Sequence, residues 1–192
     1  MKKLLLLLAL TLLAAGILVL GGCSRRGEDS PSSQVSGAAP SGEGVIRTLY
    51  IGRGEDFQQV PHTFEGEPTP DALIAAIAEE TGWNLALAEP VTSGKGGMSV
   101  LFSKESALFT GFPDPQKEEY AVDGPQDLAF HILDSIQRTL QWNTINPQLG
   151  DPANLDVYFA VGGNEPLSWL EWGIELPLEE PYPGSAALQR VE

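Results

Sequence analysis

GPQDLAFHILDSIQRTLQW, residues 124–142, carries the plainest hydrophobic period in this sequence. Leu128, Ile132, Leu133, Ile136 and Leu140 recur three and four residues apart, and so share one face of a helix. Pro125 suits the first helical turn, where a missing N–H costs nothing. Asp127, His131, Asp134 and Arg138 fall on the opposite face. The acid-first, four-residue spacing of Asp134 and Arg138 predicts an ion pair. A helix with one apolar stripe needs a second layer to cover it, and flanking runs supply strands. Residues 98–103 (MSVLFS) place Met98, Val100 and Phe102 on one strand face, and 156–161 (DVYFAV) do the same with Val157, Phe159 and Val161.

Working outward, residues 45–52 (VIRTLYIG) are β-branched and aromatic and end on glycine, which predicts a further strand. Thr69-Pro70-Asp71 is a helix start: an N-cap, a proline at the first helical position, and an acid near the positive end of the dipole. That helix runs through Leu73, Ile74 and Ile77 and stops near Gly82. Residues 85–91 are expected as an antiparallel neighbour of 98–103, with 92–97 as the connection. The stretch 110–123, with two prolines and several charges, predicts no element. Gly162-Gly163-Asn164 marks a turn, and 167–183, punctuated by Pro177, Pro181 and Pro183, reads as edge strand or extended wrap. The order strand, helix, strand, strand, helix, strand predicts one α+β domain over 45–183, with two helices on one face of a mixed sheet. Residues 184–192 are expected as a disordered tail.

The first 22 residues read as a signal peptide. Lys2 and Lys3 precede an uncharged apolar run at 4–20, the build of a secretory signal. Leu20-Gly21-Gly22-Cys23 places small residues directly before the chain's single cysteine. This resembles the lipobox of bacterial lipoproteins, which implies cleavage between Gly22 and Cys23 and a diacylglyceryl group on the Cys23 thiol. Two or more acyl chains anchor stably where one binds reversibly, at about 0.8 kcal/mol per buried methylene. Two other readings are an uncleaved membrane anchor, for which 4–20 is barely long enough, and an incidental thiol. With one cysteine, no disulfide forms within the chain, and the folded part must be stable through its own core.

All 26 acidic residues lie after Cys23, as do all but two of the 11 basic ones, so the exported part is more acidic than the whole-chain charge of −15. Such a surface argues against nucleic acid, whose phosphates demand Lys and Arg clusters, and against lying flat on an anionic leaflet. Residues 23–44, the cysteine and a Ser-, Gly-, Pro- and Ala-rich stretch, predict a flexible tether. Its span is typically ~25 Å and at most roughly 70 Å.

Residues 49–51, 71–78, 102–105, 128–140, 157–161 and 165–167, in this order and behind a lipobox and tether, resemble the GerMN, or sporulation and spore germination, domain. The resemblance covers nearly all of 45–183. It implies a compact α+β module without catalytic residues, carried on envelope lipoproteins of spore-forming and related bacteria. The long 110–123 stretch and the tryptophans near the end depart from the pattern.

Enzyme chemistry finds little support. His62, read as a loop residue beside Pro61, and His131 are the two histidines, and either with its acidic neighbours is an ordinary solvated surface rather than a metal site. No Gly-x-Ser-x-Gly motif occurs, no carboxylate pair stands out, and Gly94-Lys95-Gly96-Gly97 has the spacing of a hairpin turn, not of a phosphate loop. No cofactor, metal or catalytic residue is expected. Trp169 and Trp172 either close the core or form an exposed aromatic patch of the kind enriched at interfaces. The expected function is a non-catalytic lipoprotein held to the outer face of the cell membrane by Cys23. It would bind an envelope protein through an available sheet edge or the Trp169 region. The alternatives are a solute- or cell-wall-glycan-binding lipoprotein with a concave aromatic pocket, and an envelope hydrolase with carboxylates in a cleft.

Overall fold

β-Branched and aromatic residues extend the chain from the start of the described region. The computed structural model describes residues 44–94 and 97–189. The expected signal segment, Cys23 and almost all of the expected tether lie outside these residues, as do 95–96 and 190–192. β1 (Val45–Arg53) turns through Gly54-Glu55 and returns antiparallel as β2 (Asp56–Phe64), with Leu49 opposite Val60. Gly52 sits at φ +156°, and a Cβ there would lie 2.0 Å from the Asp56 carbonyl oxygen, so only glycine fits. β2 is an element the sequence reading did not contain. His62, expected in a loop, is on this strand opposite Arg47.

α1 (Pro70–Thr81) begins as its chemistry dictates: the Thr69 side chain accepts a hydrogen bond from the Ala72 N–H, and Gly82 closes the helix in the left-handed conformation at φ +78°. Lys117 reaches back to the exposed carbonyls of Glu79 and Glu80 (2.9 and 2.5 Å), placing a cation at the negative end of the helix. Residues 85–91 do run beside the next strand, but only through the Leu87–Phe102 bridge. The regular pairing falls at β3 (Thr92–Ser93), inside the expected connection, against β4 (Gly97–Phe102). A short α2 (Ala107–Thr110) follows, capped by Ser106.

α3 (Pro125–Thr144) is the long helix of the opening period, and all five residues of its apolar stripe are 0 or 1 % exposed. It carries the chain from β4 over to β5 (Asp156–Val161), which is parallel to β4 with Val100 opposite Phe159. Gly163 and Asn164, both at positive φ, turn β5 into the antiparallel β6 (Glu165–Trp169), and β7 (Ile174–Leu176) pairs with β6. The main sheet is therefore mixed, in the order β3-β4-β5-β6-β7, and the β1-β2 hairpin is a second, two-stranded sheet. The class is α+β, as expected, with two sheets in place of one. Both sheets and the helices contribute to one core, where Phe102 stacks on Phe159 (5.8 Å) and Leu49, Ile51, Ile74, Ile77, Leu133 and Leu167 are buried.

Residues 184–189 are not the disordered tail expected. They form α4 (Ser185–Leu188), and Ser185 is buried. Among the described residues no helix is long and apolar enough to cross a membrane.

Candidate functional site

The two edges of the hairpin differ. Tyr50 and Gly52 give their main-chain N–H groups to Thr139 Oγ1 (2.9 Å) and Ser135 Oγ (3.0 Å) of α3. Asn143 Nδ2 donates to the Thr48 carbonyl (2.8 Å), and the Thr139 and Ser135 hydroxyls donate in turn to the Tyr50 and Gly52 carbonyls (3.3 Å each). Ser135, Thr139 and Asn143 are four residues apart, so a single polar stripe of α3 stands where a neighbouring strand would. It caps the outer edge of β1.

This fixes what β2 presents. In an antiparallel pair, residues whose main-chain groups point away from the partner lie opposite one another. Thr48, Tyr50 and Gly52 point outward toward α3, so their partners Pro61, Gln59 and Phe57 point outward on the other side. Pro61 has no N–H to waste there, which is how a proline sits within this strand. Among the described residues nothing pairs with that side of β2. It is an open edge.

On the hairpin face that Tyr50 and Phe57 share, on the side of α3, is a cluster of aromatic rings around a guanidinium. The Arg138 Cζ lies 5.2 Å from the centre of the Phe57 ring and 5.1 Å from that of Trp142, whose own ring is 5.7 Å from Tyr50. Burial raises the Tyr50 phenol above its usual range, and the nearby Arg138 charge partly offsets the effect. Trp142 is 36 % exposed, and Ile46, on the same face of the hairpin as Tyr50, is 63 % exposed. A groove of about 450 Å³ adjoins, lined in part by Phe57, Gln137, Arg138, Asp156 and Tyr182.

The expected Asp134–Arg138 ion pair does not form. Asp134 is turned inward and is 3 % exposed, against its expected place on the solvent face. Its carboxylate accepts from the Gly54 N–H (2.7 Å), the Tyr182 hydroxyl (2.8 Å), the Ser185 N–H (3.0 Å) and the Ser185 hydroxyl. One buried charge thus ties the hairpin turn, α3 and the C-terminal segment together. Burial first, then the neighbouring Asp134 charge, hold the Tyr182 phenol far above its usual range, so it remains a donor. Asp127, by contrast, behaves as expected of a surface acid and pairs with Arg53, while His131 Nδ1 lies 2.9 Å from the Asp127 carbonyl.

Trp169 is buried in the core (6 % exposed), and Trp172 is half-buried and stacked on it at 5.5 Å and 22°. The large apolar residue exposed between them is Leu170, not either tryptophan. Near His62, Glu67 is engaged with Arg47, and His62 packs its ring on Phe64 (4.7 Å). Among the described residues no group of three or more His, Cys, Asp or Glu is placed to hold a metal ion. The sequence reading missed β2, the Ser135-Thr139-Asn143 stripe and the ring cluster. The stripe alone had a local signal, three short polar residues at helical spacing beside an apolar face. Comparison of the chain with protein-family models, curated proteins and solved structures finds no match.

Proposed function

We propose that this chain is a non-catalytic lipoprotein of the cell envelope, anchored by lipid on Cys23, whose β2 edge binds another protein. The observation that supports it most is the asymmetry of the hairpin: α3 spends three side chains closing the edge of β1, while the edge of β2 is left open. An open strand edge offers unpaired main-chain donors and acceptors, and strand addition is the recurrent way a partner uses them. Leu20-Gly21-Gly22-Cys23 supports the anchor, and the tether lets the module meet a partner away from the bilayer. The likeness to the GerMN domain is what favours an assembly role, in sporulation or germination among other settings.

The test is affinity capture of the full chain from its own membrane. Cys23→Ala should move the chain from the membrane fraction to the soluble one. Gln59→Pro removes an outward N–H from the middle of β2 without touching its pairing to β1, and should abolish the co-purifying protein while thermal melting stays within a few degrees of the parent. Retention of Cys23→Ala on the membrane contradicts the anchor, and an unchanged partner yield from Gln59→Pro contradicts the edge.

A further inference from the structure

Every described cation but one has a polar partner. Arg47 holds Glu67, Arg53 holds Asp127, Lys104 lies 3.2 Å from Glu165, and Lys117 caps α1. Arg138 has no hydrogen-bond or carboxylate partner among the described residues, and its Nε is buried without one. The chain has 26 acids for 11 bases, so carboxylates are in ample supply. The acid one turn away, Asp134, is saturated by Gly54, Tyr182 and Ser185. A planar guanidinium held between two rings is fixed in orientation while its forked N–H groups remain free, the arrangement that recognises a carboxylate through two parallel bonds. A buried donor left unpaired costs stability in the free protein and is relieved when an acceptor arrives.

Phe57, whose ring touches Arg138, is one of the outward-pointing residues of β2. A strand added along this edge would place alternate side chains on the face that Phe57 and Tyr50 occupy, next to the Phe57 ring that Arg138 covers from the side of α3. We infer that the partner docks an extended segment along β2 and that Arg138 binds an aspartate or glutamate side chain on that segment. This rests on the edge-binding reading above and adds the chemistry of the segment. In a strongly acidic body, the one described cation without a polar partner also gives the register, since a carboxylate is attracted to it and repelled by the surrounding acids.

A display library of random twelve-residue peptides, selected against the full chain, tests this. Binders should carry one Asp or Glu at a fixed position in a β-branched segment. They should lose affinity by about tenfold to a hundredfold on Arg138→Gln, and by nearly as much on Arg138→Lys, which keeps charge but not the fork. Lys104→Gln should leave them within about twofold, since its pair is exposed. Circular dichroism melting of each variant separates lost binding from lost folding. Binders abolished by Gln59→Pro but indifferent to folded Arg138→Gln overturn the carboxylate and leave the edge. Binders indifferent to Gln59→Pro overturn both, as does failure to enrich any binder. Concentration-dependent dimerisation lost in Gln59→Pro would show the edge taken by a second copy and likewise overturn the inference.

Discussion

Asp134→Ala is expected to lower the unfolding free energy by about 3–5 kcal/mol, because it orphans several buried donors at once. The Tyr182 hydroxyl, the Gly54 N–H and both Ser185 donors lose their acceptor together, and Tyr182 and Ser185 are buried. In a domain of this size that corresponds to a fall in Tm of roughly 10 °C. Tyr182→Phe removes one of these bonds and should cost only about 1 kcal/mol. Asp127→Ala, on the same helix but paired at the surface, should cost less than about 1 kcal/mol. Urea denaturation of the three variants checks the order. Equal midpoints for Asp134→Ala and Asp127→Ala would mean the inward carboxylate holds nothing together.

Trp169→Ala is the second large effect, at about 3–5 kcal/mol, since it removes a large buried ring and leaves a cavity under β6 and β7. Trp172→Ala should cost less, because that ring is half-buried and keeps its solvent-facing side. Leu170→Asp, at a side chain 78 % exposed, should stay within about 0.5 kcal/mol. The same denaturation series measures all three. If Trp169→Ala melts with the parent, its ring is a surface feature and the tryptophans belong to an interface after all.

The contrast between Asp134 and Trp169 shows what was legible in the residues. The 3.6-residue period of 125–144 names five aliphatic residues that are all buried, because that stripe answers to one local rule, but it does not name Ala129, Phe130, Ser135, Thr139 or Gln141, which are buried as well. The same rule misplaces Asp134. What draws it inward is Tyr182 and Ser185, 48 and 51 residues further on, from a segment with no periodic pattern of its own. Arg138 follows from that: once its predicted partner turns away, it is left to the rings of Phe57 and Trp142. β2 escaped for a different reason. Gln58, Gln59 and Pro61 break the apolar alternation that marks a strand, and no residue of β2 is fully buried, so no apolar face was there to be read. A free edge was anticipated as a contact only in general terms, since which strand is outermost is a matter of topology. The start of the two helices and the turn at Gly163-Asn164 were readable because caps and turns depend on a few adjacent residues.

The claim that β2 is the binding edge is tested most directly by amide hydrogen exchange at Phe57, Gln59 and Thr63 in the full chain, alone and with its captured partner. Facing outward with no acceptor among the described residues, these amides should exchange quickly in the free protein and slow by at least about tenfold in the complex. Exchange unchanged at all three, with new protection around Trp172 or elsewhere, would contradict it.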